Sequence, residues 1–186
     1  MHKLILITGD LASGKSTLAA SLSESLQIPF LTKDSLKEIA CDAIDFSNRE
    51  ENRRLSVSAM NSMIYVFEQF AKVGQDMILE ANFRSEEVLR IKQICDEYSY
   101  SVVLLALTGD INLLYQRFLD RLPTRHKAHT SLNLNYSLER FASYIEEIRN
   151  EDMIYPVNYI DMSELDEDDV TNIALDIISS QLGIYN

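Results

Sequence analysis

The sequence predicts an α/β fold in which a parallel β-sheet is covered by helices on both faces. Short apolar segments alternate along the chain with longer segments in which apolar residues recur every three or four positions. Several of the short segments are nearly continuous in apolar residues, which is typical of parallel strands buried on both faces. The 186 residues show no internal repeat and no break in composition, so we expect one domain over residues 1–186.

Five of the apolar segments are predicted to be strands, because each is short and rich in aliphatic residues. The first, Lys3–Thr8, contains β-branched residues and leads into Gly9. The fourth, Ser101–Leu107, is almost entirely apolar. The remaining three are Ile28–Leu31, Met77–Leu79 and Val157–Asp161.

Helices are predicted between the strands. Leucines recur at intervals of four in Lys15–Leu26, and the long segment Arg49–Lys72 has apolar residues along one face. Ser85 and Asp110 stand where each could cap the helix that follows it. A polar and basic segment, Pro123–Asn135, is predicted to be a loop or lid. The other predicted helices are Ser35–Ala43, Glu86–Tyr98, Ile111–Leu122, Ser137–Arg149 and Asp168–Leu182.

Charge and composition argue against several classes of protein. The formal net charge of −12 disfavours general nucleic-acid binding, since a duplex partner requires a basic face. No apolar run reaches the roughly 18 to 20 residues that a membrane-spanning helix needs, and Leu4–Ile7 is too short for a signal peptide. We therefore expect a cytoplasmic protein with no membrane partner. Cys41 and Cys95 lack the spacing of a metal or redox site and are expected to be buried thiols.

A phosphate-binding loop, or P-loop, is predicted directly after the first strand. Its residues are Gly9, Asp10, Leu11, Ala12, Ser13, Gly14, Lys15, Ser16 and Thr17. The first eight match the pattern G-x-x-x-x-G-K-[ST], in which backbone N–H groups and a helix N-terminus bind phosphate oxygens. Lys15 is expected to contact the β- and γ-phosphates of ATP, and Ser16 to bind Mg²⁺. The alternative is an ordinary glycine-rich turn with an exposed lysine.

Polar residues follow the second and third predicted strands, where ligands collect in open parallel sheets. Asp34 is placed to accept a proton from an acceptor hydroxyl, to bind Mg²⁺ through water, or to cap the next helix. Glu80 is placed to orient water bound to Mg²⁺. Asn82 and Arg84 are candidates for binding the acceptor, Arg84 through its bidentate guanidinium. The alternative for the last three residues is a solvated loop before a helix.

Arginines are concentrated before and within the predicted lid. Arg117 and Arg121 lie four residues apart, which places them on one helical face, and Arg125 follows in the lid. These three are candidates for neutralising charge on a transferring phosphoryl group as the lid closes. Arg140, at the start of the next helix, is a candidate to point into the same space. Exposed ion pairs of little energetic weight are the alternative.

With these residues in place, the chain resembles the small P-loop kinases of the nucleoside monophosphate kinase-like class, among them adenylate, shikimate and gluconate kinases and chloramphenicol phosphotransferase. The segment LYQRFLDR is similar to the Leu-x-x-Arg-x-x-x-Arg pattern before the lid of adenylate kinase-like proteins. The segment LEANFR is similar in position to Asp-Gly-Phe-Pro-Arg of adenylate kinases, with Glu80 in the acidic place and Arg84 in that of the substrate-phosphate arginine. Asp34 matches the aspartate that shikimate kinase-like and chloramphenicol phosphotransferase-like enzymes use at the acceptor hydroxyl.

The lid carries a further resemblance. Its segment RHKAH is similar to Arg-His-Pro-Gly-His in a group of small predicted ATP-dependent kinases, with Lys127 and Ala128 in place of Pro-Gly. His126 and His129 also have a spacing found in metal sites, but no third ligand is apparent in the sequence. In the other segment, Ala81–Phe83 replaces the Gly-Phe-Pro of adenylate kinases, a departure that disfavours a nucleoside monophosphate as substrate.

The resemblance implies a three-layer P-loop NTPase fold with sheet order 2-3-1-4-5. It also implies that the chain binds ATP and Mg²⁺ and that Asp161–Ser163 lies against the adenine. The acceptor would then lie between the helical region of residues 35–73 and the edge of the sheet, under a lid formed by residues 122–136.

These observations together predict an ATP-dependent phosphotransferase that moves the γ-phosphate of Mg-ATP to a hydroxyl group of a small molecule. A nucleoside monophosphate kinase is the alternative among enzymes. A nucleotide-binding switch that hydrolyses ATP slowly and binds a protein through Arg49–Lys72 is the alternative from another class. The sequence leaves the acceptor open and is compatible with a monomer or a homodimer.

Overall fold

Five parallel strands form the central sheet of the computed structural model, which describes residues 2–130 and 137–183. The strands are β1 (His2–Gly9), β2 (Phe30–Thr32), β3 (Met77–Glu80), β4 (Tyr100–Thr108) and β5 (Val157–Asp161). Their order across the sheet is β2-β3-β1-β4-β5, so the predicted order is confirmed. Because neighbouring strands are parallel, each connection crosses from one end of the sheet to the other through at least one helix.

Helices lie on both faces of this sheet and give the three-layer fold that the sequence predicts. They are α1 (Lys15–Leu26), α2 (Lys33–Ala43), α3 (Arg49–Ala71), α4 (Ser85–Tyr98), α5 (Ile111–Arg121), α6 (Lys127–Thr130), α7 (Leu138–Arg149) and α8 (Glu167–Leu182). A short 3-10 turn, Leu122–Thr124, follows α5. The segment predicted as a loop, Pro123–Asn135, therefore contains α6, while its residues 131–135 lie outside the described residues. The sequence pattern missed α6 because the helix is a single turn held by the burial of Ala128 against Cys41 and Leu55.

The core has two halves separated by the sheet, and β1 contributes to both. Leu4 and Leu6 pack with apolar residues of α3 and α4, whereas Ile5 and Ile7 pack on the other face with residues of α1, α5, α7 and α8. All four side chains are fully buried. Successive residues of a strand point to opposite faces, so a strand between two helical layers must be apolar at every position.

Two of three predicted helix caps differ from the structure. Thr32, not Asp34, caps α2 and accepts a hydrogen bond from the Ser35 amide. The N-cap position of α4 is Arg84, and Ser85 is the first helical residue, with its hydroxyl donating to Glu151 instead. The third prediction is confirmed, because the Asp110 carboxylate accepts bonds from the first-turn amides of α5. The carboxylate of Asp34 is therefore not occupied in capping.

Two sequence expectations bear on the rest of the chain. No helix within residues 2–130 and 137–183 is both long and apolar enough to cross a membrane. Cys41 and Cys95 are buried and unpaired, as predicted, and burial raises the pKa of the Cys95 thiol to about 12.

Candidate active site

The P-loop turns sharply at Gly9, where β1 ends. A Cβ atom on Gly9 would lie 2.1 Å from the carbonyl oxygen of Leu107, and the backbone has φ +120°, so only glycine fits. The Asp10 amide donates to the same oxygen at 2.8 Å, which holds the loop against β4. The loop ends at Gly14, which caps α1 with no side-chain acceptor and leaves the first-turn amides available to phosphate oxygens.

The Lys15 side chain folds over the loop. Its ammonium donates to the carbonyl oxygen of Gly9 at 3.0 Å and to that of Asp10. Desolvation of this ammonium lowers the pKa of Lys15, and the negative charge of Glu80 opposes that shift most strongly. A lysine held at the mouth of the loop by neutral carbonyl oxygens can exchange those partners for phosphate oxygens.

A carboxylate and a hydroxyl meet beside Lys15. The Ser16 hydroxyl donates to Glu80 Oε2 at 3.0 Å. Glu80 ends β3 and is 5% exposed, and this burial raises the pKa of its carboxyl group while the Lys15 charge lowers it. These oxygen donors fit Mg²⁺, which prefers hard ligands and takes its remaining ligands from phosphates and water. No group of three or more His, Cys, Asp or Glu side chains that could hold a metal ion occurs in the described part of the chain.

Asp10 forms a buried ion pair that the sequence pattern did not reveal. Its carboxylate is fully buried and accepts two bonds from Arg149, at 2.6 and 3.1 Å, and one from the Gly109 amide at 3.1 Å. Arg149 also donates to the Gly109 carbonyl oxygen at 2.8 Å. The pair joins the P-loop to the last residue of α7, 139 positions away. No spacing rule links such distant residues, although a basic residue at the end of an amphipathic helix was visible.

A cavity of about 780 Å³ opens over the P-loop and brings most of the predicted site residues together. It is walled by α2, α3, the loop after β3 and the described part of the lid. The predicted residues that line it are Leu11–Thr17, Asp34, Glu80, Asn82, Arg84, Arg121, Arg125 and Arg140. Arg117 is not among its lining residues, since its guanidinium lies 3.0 Å from the sulfur of Met162, near the end of β5.

Asp34 is the second residue of α2 and its side chain is 52% exposed. Two lid residues approach its carboxylate: Arg125 Nη2 and His129 Nε2 each lie 4.0 Å from Oδ2. The Arg125 guanidinium also lies over the Phe118 ring, 5.7 Å from its centroid. Asp34 therefore faces the cavity with positive charge from the lid next to it.

The loop after β3 carries two candidates for binding the acceptor, and the two have different surroundings. Arg84 is ion-paired with Glu147 at 2.7 Å and Glu151 at 3.0 Å, at the end of α7. Its guanidinium is thus already neutralised by two carboxylates. Asn82 has its Oδ1 atom buried without a hydrogen-bond partner among the described residues. A buried amide oxygen of this kind is expected to find a donor, and a ligand hydroxyl is one.

The cavity is basic although the chain is acidic. Nine of the 17 lysines and arginines line it, against four of the 29 acidic residues. The basic residues are Lys15, Lys33, Lys37, Arg49, Arg53, Arg84, Arg121, Arg125 and Arg140, and the acidic ones are Asp34, Glu80, Glu86 and Glu87. A concave surface with one sign of charge concentrates ligands of the opposite sign. The cavity is therefore suited to anionic ligands.

A second cavity of about 410 Å³ lies on the other side of the Asp10–Arg149 pair. Arg149, Asp161 and Ser163 are among its lining residues, together with Tyr159 and the turn after β4. The Ser163 hydroxyl is fixed by a bond to Asp161 at 2.6 Å and accepts the Asp110 amide at 2.8 Å. The segment expected to face adenine therefore borders an open pocket beside the P-loop.

The two lid histidines contact α2. His126 Nε2 lies 3.1 Å from Asp42 Oδ1, and His129 Nε2 lies 3.0 Å from Glu38 Oε1. His126 therefore contacts one carboxylate and His129 approaches two, Glu38 and Asp34, and these contacts join the lid to α2.

Comparisons with known proteins agree with this architecture. The family model described as Zeta toxin matches residues 2–165. A candidate kinase of Chloroflexus aurantiacus J-10-fl is 24% identical, with a TM-score of 0.79 and 97% of this chain and 98% of that chain covered. The gluconokinase of Sinorhizobium meliloti 1021 is 14% identical, with a TM-score of 0.58 and coverage of 96% and 92%. The APS kinase CysC of Mycobacterium tuberculosis, solved with AMPPNP and APS, is 14% identical, with a TM-score of 0.61 and coverage of 96% and 98%.

No curated protein sequence matches this chain. The structural neighbours have low sequence identity, so they show the fold alone. The family match covers most of the sequence. The chain therefore belongs to the Zeta toxin family and has the fold of the small P-loop kinases.

Proposed function

We propose that the protein transfers the γ-phosphate of Mg-ATP to a hydroxyl group of a small, anionic acceptor. One observation carries this proposal: Asp34 lines the same cavity as the P-loop and Lys15. A carboxylate is placed there by the end of β2, and ligands of open parallel sheets bind at this edge. An aspartate beside a triphosphate site is suited to accept the proton of an attacking hydroxyl.

The reaction divides among residues of the P-loop and the cavity. The amides of residues 11–16 and the Lys15 ammonium would hold the β- and γ-phosphates. The acceptor oxygen forms a bond to the γ-phosphorus, the bond from that phosphorus to the β,γ-bridging oxygen breaks, and ADP leaves. Asp34 takes the hydroxyl proton.

Mg²⁺ would be held by Ser16 and, through water, by Glu80 or Asp34. When bound, the ion supplies positive charge to the β- and γ-phosphates. Arg121 and Arg125 line the cavity and would offset the charge that spreads over the transferring group. Arg117 lies near Met162 instead, so we assign it to the nucleotide side of the site.

The basic lining supports an acceptor that carries phosphate or carboxylate groups. Lys33, Arg49 and Arg53 lie on the α2 and α3 walls of the cavity, where an acceptor would sit beside Asp34. Asn82, with its unpartnered oxygen, is a further candidate for contacting an acceptor hydroxyl. The named neighbours include a sugar kinase, a gluconokinase and an APS kinase, which supports phosphoryl transfer to a small molecule.

The alternatives have less support from the geometry. A nucleoside monophosphate kinase would use Arg84 on the acceptor phosphate, but Glu147 and Glu151 already bind that guanidinium. A nucleotide-dependent switch would use α3 as a partner surface, and Val57 and Tyr65 are exposed there. The nucleoside monophosphate kinase alternative predicts turnover that does not depend on Asp34. The switch alternative predicts that ATP binds but that no acceptor stimulates ADP release.

The test is ADP release from Mg-ATP, with and without a panel of hydroxylated sugars, sugar phosphates, nucleosides, sugar acids and nucleoside monophosphates. We expect one anionic hydroxyl compound to stimulate ADP release strongly, and Asp34→Asn to remove that stimulation while ATP still binds. Lys92→Met, in an exposed i,i+4 pair on α4, is the matched control. Stimulation by a nucleoside monophosphate that survives Asp34→Asn would establish the first alternative. Tight ATP binding with no stimulation would favour the second.

A further inference from the structure

Lys37 is a buried lysine in the wall of the cavity, and phosphoryl transfer as proposed above does not use it. It lies one turn after Asp34 on α2 and is only 7% exposed. Its ammonium donates to Asn52 Oδ1 on α3 at 2.7 Å and to the Ala128 carbonyl oxygen on α6 at 3.0 Å. Asn52 Nδ2 donates to the same carbonyl oxygen at 2.9 Å. One carbonyl group of the lid thus receives donors from two other helices.

The partners of Lys37 are unusual for a buried ammonium. Both are neutral oxygens, so neither repays the desolvation of the charge as a carboxylate would. Desolvation accordingly lowers the pKa of Lys37, with Asp34 acting in the opposite direction and Lys33 and Arg125 adding to the shift. A well-packed apolar residue would stabilise this position at least as well. The arrangement therefore favours a role in the reaction over a role in stability.

The bonds of Lys37 locate the lid over Asp34. Ala128 is 3% exposed and packs against Cys41 and Leu55, so its carbonyl group is fixed by packing as well as by hydrogen bonds. The residues on either side of it, Arg125 and His129, are the two that approach the Asp34 carboxylate to 4.0 Å.

The charged groups around this junction come from both packed helices. From α2, Glu38 faces His129 and Asp42 faces His126. The His126–Asp42 pair lies near solvent, since the Asp42 side chain is 68% exposed, and an exposed pair of this kind contributes little. His129 is 9% exposed in its pair with Glu38 and is a stronger contact. Lys37 and Asn52 therefore fix the position of α6 together with this pair and with the packing of Ala128.

We propose that Lys37, together with Asn52, is a positioning residue that docks the lid segment Arg125–His129 against α2 and α3 during phosphoryl transfer. The proposal rests on the proposed function, because it concerns the same acceptor site. A docked lid keeps Arg125 beside the reacting groups and excludes water from the γ-phosphate. An undocked lid admits water, which then competes with the acceptor for the phosphoryl group.

The test measures how each consumed ATP is divided between phosphorylated acceptor and free phosphate. The variants are Lys37→Met and Asn52→Leu, which remove the donors with little change of volume, and Lys92→Met is the control. We expect each of the first two to lower kcat by about tenfold and to raise the share of free phosphate severalfold, with KM for ATP nearly unchanged. A role in stability alone would lower both products equally.

Two results would overturn the proposal. One is an unchanged division of products in both variants. The other is a raised KM for the acceptor in Lys37→Met alone, with kcat and the division unchanged, which would make Lys37 a ligand of the acceptor. If Lys37→Met does not fold, Asn52→Leu gives the same readout.

A second measurement does not depend on the acceptor. Hydrogen exchange of the amides of residues 125–130 reports docking of the lid directly. We expect faster exchange in both variants than in the wild type or in Lys92→Met. If the wild-type protein shows no acceptor-dependent turnover, the proposed function fails. Unchanged exchange in both variants would then overturn the docking role as well.

Discussion

The two sides of the large cavity are built in different ways. The nucleotide side, which comprises Gly9–Thr17 and Arg149, is held by a backbone bond from Asp10 to β4 and by an ion pair whose Asp10 carboxylate is fully buried. The lid side, which comprises α2, α6 and Asn52, is held by side chains that reach between three helices. The nucleotide side is therefore fixed by β4 and by the end of α7. The lid side depends on a few polar contacts between helices.

This difference explains why the nucleotide side can be found from a sequence pattern and the lid side cannot. A site made of backbone amides needs glycines at fixed spacing, so it leaves a local pattern. A site made of side chains from distant helices leaves none. The difference also assigns separate tasks to the two sides. The nucleotide side is suited to binding the nucleotide, and the lid side is suited to admitting an acceptor and excluding water.

The largest effect is expected on the nucleotide side, from Lys15→Ala. The ammonium is the one positive side-chain charge of the P-loop and would contact the β- and γ-phosphates, so its loss should lower turnover by at least about 10³-fold. Acceptor-dependent ADP release measures this, with Lys72→Met, in an exposed ion pair at the C-terminal end of α3, as the control. Near-normal activity in Lys15→Ala would contradict the assignment of the site.

Asp34→Asn tests the lid side. Loss of the proton acceptor should lower kcat with the hydroxyl acceptor by about 10²–10⁴-fold, while Kd for ATP changes little because Asp34 lies outside the P-loop. Single-turnover transfer and nucleotide binding, measured on the same preparation, separate the two quantities. An intact rate would mean that the acceptor needs no base at this position.

Arg149→Met should show that the nucleotide side depends on its ion pair. Removing the guanidinium leaves the Asp10 carboxylate buried and unpaired, which should reduce the free energy of unfolding by about 3 kcal/mol. The double variant Asp10→Asn/Arg149→Met should recover part of that loss, because it removes both charges. Urea denaturation of the three variants gives the comparison. Equal stability of wild type and Arg149→Met would show that the pair does not anchor the loop.

The smallest of these effects concerns Glu80 and pH. Burial raises the pKa of its carboxyl group, so protonation begins at a higher pH than for an ordinary glutamate, whose pKa is about 4.3. As pH falls, the charged form that would orient Mg²⁺ is lost. The decline of kcat/KM for Mg-ATP should therefore begin at a pH above the ordinary pKa of a glutamate. Glu80→Gln should lower kcat/KM by about 10–100-fold at neutral pH and remove this acidic limb. A limb that is unchanged in the variant belongs to another group.

Sequence patterns predicted the fold and the position of the P-loop. Gly9 and Gly14 mark the loop, continuous apolar residues such as Leu4–Ile7 mark a strand between two layers, and the family resemblance supplied the sheet order. The hydrogen-bond partners of charged residues could not be predicted from the sequence. The sequence pattern did not show that Arg84, a candidate for binding the acceptor, contacts two glutamates that lie more than 60 positions away.

Local capping was also misjudged where two polar residues compete. Thr32 caps α2 in place of Asp34, since it stands directly before the first helical turn. Lys37 did leave a weak signal, because it shares the buried face of α2 with Cys41. A charged residue on an apolar face indicates a polar partner, but the sequence does not say which one.

Because Cys41 is buried beside the lid, alkylation of its thiol can be used to measure lid opening. Its thiol is fully shielded in the small cluster that Ala128 completes, so we expect it to react with an alkylating reagent when α6 moves away. Cys95 lies on the buried face of α4, in a different part of the core, and provides an internal reference for global unfolding. The ratio of labelling at the two thiols therefore measures lid opening in the native sequence, with no added probe. The same pair lets ligands be ranked by how far each closes the cavity before any product is detected.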